Sequence, residues 1–320
     1  MPGWRPSLRA NSSDHYGTAV AYLLFGVAAG LTLDLIGKWL LADYSLVQFV
    51  FLRSLFSLIF FVIAARFYGG IDTLTTHRWR WHTFRSFLSI AMTFGFFFGL
   101  ARMPIVNALT IAFTAPLIVT ALSVPFLGER VGWRCWLAVL AGFGGVIITL
   151  RPGAGMFTPA AIAVIIAAIG YAGLALTTRK LAATESGLSL AVYCLAGPLL
   201  VSAFLLPGNY TPPTSSSWAL FVIAGLCSAL AWVGIVSGYR RAPPAQLSPF
   251  EYTALLGAAI AGYLIWGEVP DLWVIAGSLV IVGSGLFVAY AQRVPTAAPP
   301  TDQSAAAVRS DNGALSSDCR

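Results

Sequence analysis

Ten stretches, each about the length of a bilayer crossing and mostly apolar, take up nearly the whole chain. They span 17–41, 45–67, 83–101, 105–127, 133–150, 158–178, 187–206, 217–238, 246–267 and 272–291. About 20 apolar residues are needed to cross the hydrocarbon core as a helix. Only helices and closed barrels satisfy their own backbone groups at that depth, and stretches this long are too long for barrel strands. The chain is therefore expected to be an all-α membrane protein with ten transmembrane helices. Its connections are short and rich in Pro, Gly and charge, as in Arg151-Pro152-Gly153 and Pro207 to Pro213, so none can hide a soluble domain. Charged residues make up 10% of the 320, against about 25% in soluble domains. That argues against a soluble enzyme, a secreted scaffold and a nucleic-acid binder, despite the net charge of +7.

The four cysteines lie far apart without metal-ligand or disulfide spacing, and the first three, Cys135, Cys194 and Cys227, read as small packing residues. The first apolar stretch is too long for a signal h-region and reads as a retained span. After Arg293 the chain turns rich in Ala, Pro, Ser and Asp. This composition buries too little surface to fold, so 294–320 is expected to be a disordered tail. Lys and Arg favour cytoplasmic loops. With the N-terminus inside, fifteen basic residues, Arg85 among them, fall on inner segments. Three (Lys38, Arg102 and Arg151) fall on outer segments, and Arg53 alone is left within a span. The expectation is N-in and C-in, which also explains the basic clusters without nucleic acid.

Sliding the chain against itself by 139 residues exposes a repeat. Gly99-x-x-Arg102-x-Pro104 falls on Gly238-x-x-Arg241-x-Pro243, Thr114-Ala115-x-Leu117 on Thr253-Ala254-x-Leu256, and Gly128-Glu129 on Gly267-Glu268. Each half holds five spans. Five is odd, so the halves enter from opposite sides as two inverted five-helix repeats, an arrangement that places a site near the midplane between them. The expected divisions are a cytoplasmic segment 1–16, repeats 17–150 and 151–293, and the tail.

Ionisable groups inside spans usually face a bundle interior or cavity. Asp34 and Arg53 sit about equally far from the turn near Asp43, so they are equal in depth and able to pair. That pair either fixes the hairpin, or Arg53 holds an anionic or carbonyl group of a ligand. Glu251 follows Pro249, which disrupts the helix ladder, and is a candidate to carry a proton or to bond a facing helix. Its repeat counterpart is Ala112, so the carboxylate is not duplicated. Glu129 and Glu268 end spans and read as interfacial caps. Tyr171, Trp232 and Tyr252 are amphipathic residues placed to stack on a flat molecule or simply to pack. The run Phe94, Phe96, Phe97 and Phe98 points all round its helix and reads mainly as lipid-facing or packing. Asn107 and Gln246 share one repeat position and could line the entrances. Gly26-x-x-x-Gly30 and Gly95-x-x-x-Gly99 allow close helix contact. There is no phosphate-binding Gly-x-x-x-x-Gly-Lys loop, no clustered catalytic set, no metal-ligand pattern and no sign of a cofactor.

The two five-span halves, Arg53 early in the second span and Pro125-Phe126-Leu127-Gly128-Glu129-Arg130 before a Gly-rich fifth span together resemble the drug/metabolite transporter superfamily, specifically its EamA-type carriers. The second half repeats the phrase around Pro249-Phe250-Glu251-Tyr252 and Trp266-Gly267-Glu268-Val269-Pro270. The resemblance covers roughly 17–291. It implies a secondary carrier, not an enzyme, moving a small organic molecule across the bacterial inner membrane by alternating access. Its partners are that substrate, the lipid bilayer and, through Glu251, protons; the oligomeric state stays open. Uptake of a heterocyclic metabolite such as riboflavin or S-adenosylmethionine is the favoured expectation. Export of amino acids or drugs, a channel, and a non-transporting sensor or scaffold are the alternatives.

Overall fold

The computed structural model describes residues 12–67, 76, 78–127, 132–150, 158–181, 184–242, 247 and 250–293. Gln246, Glu129, residues 1–11 and the segment 294–320 lie outside that set. Every regular element among the described residues is a helix. They are α1 (Ser12–Leu40), α2 (Leu46–Phe67), α3 (Trp79–Leu100), α4 (Ile105–Ala112), α5 (Ala115–Leu127), α6 (Trp133–Leu150), α7 (Pro159–Leu181), α8 (Gly187–Leu205), α9 (Ser215–Arg241), α10 (Thr253–Trp266) and α11 (Leu272–Arg293). Eight stretches are long and apolar enough to cross a membrane, the fourth running through α4 and α5. Two shorter apolar helices, Thr253–Trp266 and Leu272–Val288, stand where the ninth and tenth crossings are expected. Both α3 and α9 outrun their apolar stretches, because Trp79, Trp81, Arg240 and Arg241 are amphipathic residues that extend a helix into the headgroup region.

The repeat has a local structural cause. The fourth crossing is interrupted at Phe113-Thr114, between α4 and α5, and the ninth at Tyr252, just before α10. Proline lacks an N–H to give the carbonyl four residues back, so Pro116 cannot bond that of Ala112. At the first break the Thr114 hydroxyl donates to the Ile111 carbonyl at 2.8 Å. At the second the Thr253 hydroxyl donates to the Phe250 carbonyl at 2.7 Å. Both pairs are related by the same offset. The threonine of the Thr-Ala-x-Leu phrase satisfies a carbonyl beside the interruption, where an unpaired polar group would cost several kcal/mol in lipid. The repeat-equivalent rings of Phe113 and Tyr252 meet with centroids 5.3 Å apart. Equivalent residues in contact lie on the axis relating the two halves, so both interruptions sit at the pseudo-two-fold axis.

The same symmetry governs packing: α1 runs along α9 and α3 along α7, while α6 packs against its own counterpart α11. A Cβ on Gly95 would lie 2.4 Å from the Ala163 carbonyl oxygen, and one on Gly234 would lie 2.6 Å from that of Tyr22. Gly95 and Gly234 are repeat equivalents, and small residues let helix backbones approach this closely. A Cβ on Gly26 would also strike α9 backbone, 2.8 Å from the Ile235 nitrogen, whereas one on Gly30 would meet only the Ala231 Cβ at 3.8 Å. Of that Gly-x-x-x-Gly pair, only Gly26 is sterically required. Gly234→Val is therefore expected to destabilise the fold by roughly 3 kcal/mol or more, and Gly30→Ala by less than about 1 kcal/mol. Unfolding of the purified variants in detergent measures both, and equal stability of the two would refute the close crossing.

Two layers of hydrogen bonds hold the ends. At the distal end, away from the Ser12 end of α1, the Gln48 side chain exchanges bonds of 2.7 and 2.8 Å with backbone Thr211. The Ser45 hydroxyl donates to the Asn209 carbonyl at 2.7 Å. At the opposite, terminal end, Glu185 accepts from the Thr76 hydroxyl at 3.0 Å and faces His82 at 3.4 Å. Arg85 corrects the expectation that Arg53 is the sole basic residue inside a span. It lies in α3 with 0% exposure. Its guanidinium reaches the Leu174 carbonyl, the hydroxyls of Thr177 and Thr178, the Leu190 carbonyl and the Cys194 sulfur at 2.7–3.3 Å. Neutral acceptors around its two terminal nitrogens disperse its charge and tie α3 to α7 and α8, while its Nε has no partner.

Candidate functional site

A cavity of about 210 Å3 lies where the two halves meet. Its walls come from α1, α2, α3, both broken crossings, α7 and α9. Gly26 and Gly30 open the α1 wall, while Phe96, Phe97 and Phe113 supply rings. Five residues singled out from sequence line it together: Asp34, Arg53, Tyr171, Trp232 and Glu251. Three do not join them. Asn107 lines a separate recess with Arg102, Thr149 and Thr158. Tyr252 is buried at 7% exposure against Phe113, and Gln246 lies outside the described residues. Phe96 and Phe97, read as packing or lipid-facing, line the cavity instead.

The cavity has two polar ends. At the distal one are Asp34 and Arg53. Arg53 is 3% exposed and its guanidinium sits 5.4 Å from the Phe97 ring centroid, a cation–π arrangement. Its Nε has no hydrogen-bond partner. Although equal in depth, Asp34 and Arg53 close no ion pair among the described residues. The buried Ser228 hydroxyl also lines the cavity without a partner. At the terminal end, Glu251 immediately precedes the interruption of the ninth crossing at Tyr252. Tyr171 donates its hydroxyl to Glu251 Oε1 at 2.9 Å, and Tyr239 donates to the same oxygen. Tyr239 was not legible as a site residue because it sits beside Arg240 and Arg241 at a helix end, where tyrosine commonly marks the interface. Glu251 Oε2 has no hydrogen-bond donor among the described residues.

Beyond the distal end, Lys38 and Glu268 form a salt bridge. Lys38 also donates to the Met103 carbonyl at 3.2 Å and lies 5.1 Å from the Trp266 ring centroid. Glu268 Oε2 accepts the backbone N–H of Ile105 at 3.0 Å, at the N-terminus of α4, where the helix dipole favours an anion. The expectation of a capping role for Glu268 is met, but the helix it caps is in the other half. This clamp joins α1, α4 and the α10–α11 connection.

Similarity to known proteins covers most of the chain. The model of the EamA-like transporter family matches residues 18–151 and again 158–290. A protein of Rickettsia bellii named S-adenosylmethionine uptake transporter is 28% identical over 278 residues, which is 87% of this chain and 95% of that protein. A Vibrio cholerae protein named riboflavin transporter is 31% identical over 279 residues, covering 83% and 91%. A Pseudomonas aeruginosa protein named pseudopaline exporter CntI is 28% identical over 189 residues, covering 58% and 66%. One solved structure superposes with a TM-score of 0.66 at 19% identity, over 89% of this chain and 100% of that one, and shares the fold.

Proposed function

Because the chain belongs to the EamA-like transporter family, we propose that it is a secondary active carrier that takes up a small heterocyclic metabolite across the bacterial inner membrane by alternating access, and not an enzyme. Both termini face the cytoplasm in this reading, so the distal end opens to the outside. Repeats 17–150 and 151–293 exchange conformations about the central cavity, with 1–16 and 294–320 as cytoplasmic extensions. The observation that carries it is the cavity on the pseudo-two-fold axis, walled by two crossings broken at equivalent positions. Discontinuous helices at the repeat interface are how many carriers build a midplane site. Its aromatic walls suit planar rings, and relatives similar over most of their length are named for S-adenosylmethionine and riboflavin. The likeness to an exporter keeps the outward direction as a second reading.

Proton coupling belongs to the same proposal. Ionised Glu251 keeps a negative charge in the protein interior, compensated by two phenol O–H groups. A proton or a cationic substrate group at Oε2 neutralises it and allows the site to turn over. Proteoliposomes preloaded with unlabelled S-adenosylmethionine or riboflavin should take up the labelled compound by counterflow that saturates. Flux that rises linearly with concentration and shows no counterflow would reject the carrier in favour of a channel.

A further inference from the structure

Two opposite charges facing one cavity without touching form a template for a ligand that carries both. The guanidinium of Arg53 and the carboxylate of Asp34 both line the distal end of the cavity. Arg53 is buried and its Nε has no partner; Asp34 and Arg53 feel each other's charge across the cavity but close no ion pair among the described residues. A buried charge without a hydrogen-bond partner is costly, and an arginine inside a span adds to that cost. Direct pairing would relieve both groups, and Arg85 shows that this bundle gives the two terminal nitrogens of a guanidinium five acceptors when its role is structural, leaving only Nε without one. Here the two groups are left for something else. At the 139-residue offset Arg53 falls on Val192 and Asp34 on Gly173, so the second half offers no duplicate of the pair.

We propose that Asp34 and Arg53 select substrates bearing a zwitterionic α-amino-acid head, Arg53 holding the carboxylate and Asp34 the ammonium. This rests on the carrier reading and narrows it. The planar fork of arginine suits a carboxylate, which lysine cannot match with a point charge. The partnerless Ser228 hydroxyl supplies a further polar contact to the head. The remainder of the ligand lies along Phe96, Phe97 and Trp232 toward Glu251, whose free Oε2 accepts a second cationic centre or a proton. A compound with a ring system but no ionised head leaves both charges unanswered and is disfavoured, as buried polar sites reject analogues lacking their partner.

The test uses the purified full-length protein in detergent, with ligand binding read as an upward shift of melting temperature. The probes are S-adenosylmethionine, decarboxylated S-adenosylmethionine, methylthioadenosine, riboflavin and the common α-amino acids. The expected strongest ligand carries an α-amino-carboxylate head. Its decarboxylated analogue should bind at least about tenfold more weakly to the wild type, a comparison that needs no variant to fold. Arg53→Lys should weaken the zwitterion by roughly tenfold or more while leaving the analogue unchanged, and Asp34→Asn should weaken both. The proposal is overturned if riboflavin or methylthioadenosine binds best, if no zwitterion stabilises the protein at millimolar concentration, or if Arg53→Lys binds both analogues as the wild type does. Saturable counterflow of riboflavin would keep the carrier reading and sink the headgroup. Tight zwitterion binding without flux would do the reverse.

Discussion

Glu251→Gln abolishes pH-driven accumulation of substrate in proteoliposomes while substrate exchange across the membrane persists; this is the largest functional effect expected of any single change. A pH gradient of one unit is worth about 1.4 kcal/mol per proton, an accumulation ratio of about tenfold for one coupled proton. The glutamine variant should collapse that ratio to unity. The substitution keeps the shape and keeps an Oε1 acceptor for Tyr171 and Tyr239, so the crossing at Tyr252 has no reason to reorganise. What it removes is the oxygen proposed to take and release the proton. Tyr239→Phe should have a smaller effect, since Tyr171 still donates at 2.9 Å to that oxygen. If the glutamine variant accumulates substrate with the wild-type pH dependence, Glu251 is a structural acceptor for the two tyrosines and the proton travels elsewhere.

The parts of this molecule that follow from periodicity and length were readable in advance, and those that depend on which helix faces which were not. Ten apolar stretches dictate ten crossings because lipid leaves a backbone no other choice. The offset between Thr114 and Thr253 was visible as letters. Its meaning, a hydroxyl satisfying a carbonyl beside a break at the axis, appears only in three dimensions. Asp34, Arg53 and Glu251 could be singled out because charge within an apolar stretch is conspicuous. Their gathering in one cavity with Tyr171 and Trp232 depends on the α1–α9 and α3–α7 crossings, which a hydropathy pattern does not encode. Arg85 escaped notice as a buried group for the opposite reason. It lies near the start of its stretch beside Arg78 and Arg80, where charge is unremarkable, yet Thr177, Thr178 and Cys194 from distant positions enclose it. Tyr239 and Lys38 were hidden the same way, each at a helix end where its residue type is ordinary.

Lys38 carries the second large expected effect. Lys38→Met should loosen the distal end of the cavity and shift the carrier toward the state open on that side. In the structure Lys38 binds Glu268 and the Met103 carbonyl, and Glu268 holds the Ile105 N–H. One lysine thus links α1, one turn beyond Asp34, to the start of α4 and to the α10–α11 connection. Its side chain is 12% exposed and that of Glu268 20%. The bridge therefore lies between a surface pair, worth less than about 1 kcal/mol, and a buried one, whose rupture costs about 3–5 kcal/mol. A loss of about 1.4–3 kcal/mol from the distally closed state shifts the population by roughly ten- to a hundredfold. A cysteine replacing Leu33, which is buried and lines the cavity beside Asp34, in a background where the other accessible thiols are removed, reports the opening through its reaction with a membrane-impermeant thiol reagent. The rate should rise about tenfold or more in Lys38→Met and comparably in Glu268→Gln. The double variant should add little to either, because both remove the same interaction. A carrier held open on one side completes fewer cycles, so the maximal counterflow rate falls while binding at the Arg53 end is retained. Labelling at the wild-type rate in both single variants would mean that the Gln48–Thr211 and Ser45–Asn209 bonds keep the distal end shut without the clamp.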